Sequence, residues 1–233
     1  MGQKVNPIGF RVGITEDWKS KWYAPKAAYG NFLVEDFKLR RYIDGKLNRR
    51  PPFAAVSDIL IERTREEVTV TLRTARPGLV IGPKGAEVDK LREELEDLIK
   101  RKVAPIKVIE IKNPDLNAQL VAEAIAEQLK KRASFRRVLK QRMEATMQAG
   151  AKGIRISVSG RLGGAEIARN EKATTGSVPL TTLQANVDYG YAIAFTTYGT
   201  IGVKCWIYRG MYGEEVLETD VRPGGGGPRR GRR

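Results

Sequence analysis

Apolar and polar positions change period several times along this chain of 233 residues, and each change marks an element. From Glu35 the spacing of Phe37, Tyr42, Ile43 and Leu47 sets apolar side chains near one helical face, and Pro51-Pro52 ends the run. The period then falls to two: residues 57–63 and 67–73 read as strands, Val68, Val70 and Leu72 alternating with polar neighbours. The short connection between them predicts a hairpin. Residues 77–81 form a brief helical turn opening on proline, and Gly82-Pro83-Lys84-Gly85 breaks it. Over 86–102 the helical period is clearest. Val88, Leu91, Leu95, Leu98 and Ile99 form a stripe, and Lys90/Glu94, Glu96/Lys100 and Asp97/Arg101 stand at i,i+4. Residues 106–112 return to strand, and Asn113-Pro114 marks a boundary.

A second unit follows. Residues 115–131 and 135–149 read as helices, with Ser134 placed to cap the second and Gly150 to stop it. Strand patterns return over 153–159, 168–176, 183–197 and 201–209. Residues 1–35 mix Gly, Pro, Lys and aromatic side chains without period and read as an irregular arm. Residues 211–233 read as a flexible Gly/Arg-rich tail. The expected class is α+β: one unit over 36–112, then two helices beside a mainly antiparallel sheet over 113–210.

Composition narrows the chemistry. The chain has no histidine and a single cysteine, Cys205, which the strand pattern places in a core. An internal disulfide, the common zinc sites and Ser–His or Cys–His catalysis are thereby excluded, so neither a catalytic residue nor a metal or other cofactor is expected. No apolar run approaches the ~18 residues of a membrane span. The N-terminus lacks the apolar core of a signal peptide, so a cytoplasmic location and no membrane partner are expected.

The net charge of +15 points to a polyanion. It is unevenly spread. Residues 1–50 hold 11 basic and 5 acidic side chains, whereas residues 51–112 hold 12 and 11. Residues 130–142 hold seven basic and no acidic ones. At 100° per residue Lys130, Ala133, Arg136, Arg137 and Lys140 fall on one side and Phe135, Val138, Leu139 and Met143 spread over the other, a shape that buries one side and offers the other to phosphates. The arm, through Lys4, Arg11, Lys19 and Lys21, gives a second cationic segment, and the arginine tail a third.

The order from 36 to 112 (helix, strand, strand, short helix, GxxG, helix, strand) resembles a type II K-homology domain. There the glycines of the turn let a nucleic-acid backbone approach. A nucleotide-binding phosphate loop is excluded, because GPKG lacks the Gly-Lys-Ser/Thr ending.

Several segments then resemble one family. MGQKVNPIGFRVG at the start, TARPGLVIGPKG at 74–85, Phe135-Arg136-Arg137, GAKG at 150–153, SGRLGGAEIAR at 159–169 and TTYGTIGV at 196–203 are similar to bacterial small-subunit ribosomal protein three. The likeness runs to about residue 209. It implies a non-enzymatic protein in the small-subunit head, in contact with 16S rRNA and with ribosomal proteins ten and fourteen. It also implies a place at the mRNA entrance tunnel beside ribosomal proteins four and five, where a basic helix face helps unwind incoming mRNA. The positions so implied are Lys130, Lys131, Arg132, Arg136, Arg137 and Lys140 for mRNA and Lys4, Arg11, Arg161 and Arg169 for rRNA, with Gly82, Pro83, Lys84 and Gly85 as the K-homology loop. Two departures stand out. Pro83 replaces a lysine common in relatives, and 171–188 is less basic than usual. A free K-homology RNA-binding regulator is the rival reading. A carboxylate or lysine nuclease is a third, for which 130–142 supplies no acid.

Overall fold

The computed structural model describes residues 4–49, 51, 53–64 and 67–213. The fold is α+β, built around two sheets with separate hydrophobic cores.

The first sheet contains β1 (Ser20–Lys21), β2 (Val56–Arg63), β3 (Glu67–Thr74), β4 (Lys102–Val103) and β5 (Lys107–Glu110). β2 and β3 are antiparallel, β1 joins β2 in parallel, and the short β4 and β5 pair in parallel with β3. The crossover from β3 to β5 carries α3 (Pro77–Ile81) and α4 (Ala86–Ile99). α2 (Lys26–Ile43) and α4 supply Leu39, Ile43, Leu91, Leu95 and Ile99 to the core, where Ile61, Val70 and Leu72 of the sheet meet them. The apolar stripe of α4, the end of α2 and one face of the sheet bury each other.

Residues 1–35, read as irregular, hold more structure than expected. α1 (Pro7–Arg11) is capped by the Asn6 side chain, which accepts from Ile8 N at 2.9 Å. β1 lies in the sheet, and α2 begins at Lys26 rather than near Glu35. Its first half leaves Tyr29, Leu33 and Val34 exposed, so no polar face marks it as helix. The arm is tied down by Asp36, which accepts from Trp22 Nε1 at 2.8 Å and from Arg63 Nε at 2.9 Å. The ion pairs expected along α4 are replaced by others: Lys90 pairs with Glu87 and Glu96 with Arg92 within the helix, while Arg101 turns to Glu35. Glu94 pairs with Lys46 and accepts from Tyr42 at 2.7 Å, so this carboxylate joins α4 to α2 instead of stitching its own helix.

The second sheet runs in the order β7 (Arg169–Gly176), β6 (Gly153–Gly160), β9 (Gly199–Met211), β8 (Ala185–Thr196), all antiparallel. α5 (Ala118–Lys130) and α6 (Phe135–Gln148) cover one face, and Ile125, Leu139, Ile154, Ile156, Val203, Ile207 and the fully buried Cys205 fill the space between. The start of α5 presses so close to β8 that a Cβ on Gly190 would lie 2.1 Å from the Ala118 carbonyl oxygen. Asp188 accepts from the first free amide of α5, Ala118 N, at 2.9 Å, and also from Arg209. Asn117 caps the same helix and reaches Ser57 of the first sheet at 3.2 Å.

Candidate nucleic-acid interface

The cations of 130–142 gather at the turn between α5 and α6. α5 ends in a left-handed stop. Arg132 has φ of 60° and its amide donates to Leu129 O at 3.0 Å, while Ala133 N donates to Gln128 O at 3.1 Å. This double bond pattern satisfies the last helical carbonyls and reverses the chain. Ser134 then sits at the N-cap position of α6, although its side chain makes no capping hydrogen bond. Because the turn separates the helices, Lys130 does not continue the helical face of Arg136, Arg137 and Lys140; it belongs to the end of α5.

Within α6, Val138, Leu139 and Thr146 are buried and Phe135 and Met143 are half-buried, which leaves Arg136, Arg137 and Lys140 exposed on the opposite side. Lys130, Lys131 and Arg132 are exposed as well. Arg136 and Arg137 occupy the first turn of a helix that has no acidic residue there. The helix dipole disfavours cations at that end, and a bound anion relieves both terms. Three carboxylates outside the segment moderate the charge: Glu127 pairs with Lys131 at 2.7 Å, Glu144 lies 3.9 Å from Lys140, and Asp115 lies 3.5 Å from Arg142. The Lys131 and Lys140 pairs are exposed, and pairs of that kind are weak and yield readily to phosphate.

The residues expected to meet rRNA have divergent surroundings. Arg169, on β7, joins the α6 face: its guanidinium lies 5.8 Å from the Phe135 ring centroid, and that of Arg136 lies 5.6 Å from the same ring. Arg161 braces its own loop, donating to Ala165 O at 2.9 Å and Tyr198 O at 3.3 Å, and is half-buried. Lys4 is exposed ahead of α1. Arg11 is a correction. It is fully buried and donates to the carbonyl oxygens of Pro7, Pro179, Leu180, Thr182 and Ala185. Its donors are committed to the 179–185 segment, so it is not a phosphate ligand. No signal in its own neighbourhood announces this, since most of its partners lie in the other unit.

The K-homology loop is geometrically a GxxG turn. Gly82 and Gly85 have φ of 69° and 83°, and Pro83–Gly85 makes a single tight turn into α4. The Lys84 side chain lies outside the described residues, as do residues 214–233 of the expected tail. Pro83 is exposed and offers no amide. Glu87 and Asp89 stand in the first turn of α4, and the Glu87 side chain packs over Gly82, where a Cβ would lie 2.5 Å from Glu87 Cγ. The helix end that would attract a phosphate already faces two carboxylates.

Among the described residues no cluster of acidic or sulfur side chains suits a metal ion, and no helix is long and apolar enough to cross a membrane.

Comparisons with known proteins point one way. Residues 38–116 match the KH domain family, and residues 125–207 match the family described as ribosomal protein S3, C-terminal domain. The chain is 53% identical over 226 residues to the small ribosomal subunit protein uS3 of Desulforamulus reducens, covering 97% of this chain and 98% of that protein. It is 52% identical to the uS3 of Rhodopirellula baltica, covering 96% and 95%, and 54% identical to that of Desulforudis audaxviator, covering 97% and 100%.

Proposed function

The chain belongs to the ribosomal protein S3 family, structural proteins of the small ribosomal subunit and not enzymes, and from that premise we propose that the α5–α6 turn grips the phosphates of mRNA as it enters the ribosome. The observation that carries the reading is the exposed row Arg136, Arg137 and Lys140 on α6, whose first turn holds no acidic residue. Lys130, Lys131 and Arg132 extend it. Such a surface clamps backbone with little base preference, which suits a protein that must let every message pass. Holding single strands apart as they arrive helps unwind structure ahead of the ribosome.

The rRNA contacts are assigned to Lys4 and Arg169, with Arg161 contributing through whichever donors its loop leaves free. Contacts with 16S rRNA, with ribosomal proteins ten and fourteen, and with proteins four and five at the mRNA entrance belong to the same proposal. So does a division into an arm over 1–35, a K-homology unit over 36–112, a C-terminal unit over 113–210 and a tail, which the two separate cores support. A free K-homology regulator fits less well, because Pro83, Glu87 and Asp89 weaken the loop on which it would depend.

Ribosomes carrying Arg136→Ala/Arg137→Ala/Lys140→Ala are the test. They are expected to assemble and to translate unstructured messages normally, while slowing on a message with a stable hairpin. Normal passage through that hairpin overturns the reading. In the purified protein, loss of these contacts should lower the slope of log K against log salt by roughly 2 to 3.

A further inference from the structure

Among the described residues the sheet of the C-terminal unit has helices on one face only, and the pairing register fixes what its other face presents. Outward positions on β8 carry Tyr189, Tyr191, Ile193 and Phe195, opposite Trp206, Lys204, Gly202 and Thr200 of β9. On β6 and β7 the matching positions are Arg155, Ser157 and Ser159, beside Thr174, Lys172 and Asn170. One end of this face is closed, where Val187 and Tyr208 pack under Val178 and Leu180 of the segment that Arg11 holds. The rest is open: Tyr191 and Ile193 are 45% and 44% exposed and Phe195 63%.

Three observations identify an occupant. First, no acidic side chain stands at an outward position of the four strands, whereas Arg155, Lys172 and Lys204 do. Second, the aromatic rings are arranged as surfaces. Tyr189 and Trp206 lie 5.4 Å apart, Arg155 sits 5.4 Å over the Trp206 ring, and Tyr191 leans over Gly202, whose missing Cβ would be 3.8 Å from the ring. Third, an antiparallel sheet open to water normally shows polar side chains there, so exposed rings need a partner. Aromatic rings spaced on an open sheet among cations stack unpaired bases and hold the linking phosphates, whereas a duplex, with its bases already stacked, cannot use them.

We propose that this open face, formed by Tyr191, Phe195, Trp206, Lys172 and Lys204, is a second RNA-binding surface that takes single-stranded RNA by base stacking. It is separate from the phosphate-gripping α6 face, which lies on the helical side of the same unit, and does not depend on it.

The full-length protein is titrated by fluorescence anisotropy with a labelled ten-nucleotide oligouridine and with a duplex of equal length. Tyr191→Ser/Phe195→Ser is expected to weaken oligouridine binding about ten- to a hundredfold while duplex binding changes less than about twofold. The triple α6 variant should weaken both ligands alike. Tyr191→Leu/Phe195→Leu keeps bulk but removes the stacking surface, and should follow the serine pair if the protein melts normally. Unchanged oligouridine affinity in the leucine pair overturns the proposal. In purified small subunits, ultraviolet crosslinking should give RNA adducts on peptides holding Tyr191, Phe195 or Trp206. Crosslinks from this face to another ribosomal protein instead overturn it.

Discussion

Arg11 donates to the carbonyl oxygen of Ala185 at 2.8 Å across 174 positions of sequence, and with its further bonds to Pro179, Leu180 and Thr182 it fastens the N-terminal arm to the C-terminal unit. A guanidinium suits this because its donors are spread over Nε, Nη1 and Nη2, whereas a lysine has three donors on one atom and cannot reach carbonyls on opposite sides. Arg11→Ala leaves buried acceptors unpaired and is expected to cost about 3 kcal/mol. Urea unfolding measures the loss, and hydrogen exchange should show residues 177–184 opening first. Arg11→Lys should recover less than half.

Glu123 makes stability depend on pH. It faces a crevice of about 180 Å³ between the units, shared with Lys19, Arg40, Asp44 and Asp58. Burial raises its carboxyl to about 7, opposed by a hydrogen bond from Gln119 and assisted by Asp44. The folded state therefore keeps the proton that the unfolded chain releases near the ordinary value of 4.5. From about pH 4.5 to about 7 this group makes stability fall as pH rises, by up to about 1.4 kcal/mol per unit, and above 7 its effect levels off. Glu123→Gln should remove this slope and raise the pH 8 melting temperature above that of the wild type. A Glu123→Gln protein that kept the full slope would place the titration in another group.

How far the sequence alone carries depends on where each residue finds its partner. α4, α5 and α6 are legible because each buries one stripe and exposes the other, and β3 and β6 because alternate residues enter a core. β1 is too short to carry a period, and the first half of α2 lacks a polar face. The exposed cations of α6 are legible because charge and helical phase are both local. Arg11 is not, since one arginine reads the same whether it meets a phosphate or five carbonyls. The Arg136–Phe135–Arg169 grouping is likewise invisible until β7 is folded beside α6.

Arg132 holds a left-handed conformation that glycine adopts without cost and other residues adopt at about 1 kcal/mol. Arg132→Gly is therefore expected to stabilise the protein, raising the melting temperature by about 2 to 4 °C. It should at the same time weaken RNA binding at low salt, because it removes a cation from the α5–α6 turn. Opposite movement of the two readouts separates strain kept for charge from a residue that merely ends a helix. If affinity holds while stability rises, Arg132 lies outside the RNA contact.

Phe135 tests whether the two arginines act as a set. Its ring is half-buried against the core, with Arg136 and Arg169 near it, and each cation–π contact at such a site contributes about 0.5–1 kcal/mol. Phe135→Leu keeps the apolar anchor but removes the π surface. Stability should fall by only about 1 kcal/mol, whereas both guanidiniums lose their orientation and affinity for a structured RNA should drop about two- to fivefold. Phe135→Tyr keeps the ring and should bind as the wild type does. Filter binding of the two variants at fixed salt decides the matter: equal loss in both means that packing at the start of α6, and not the shared ring, orients the cationic face.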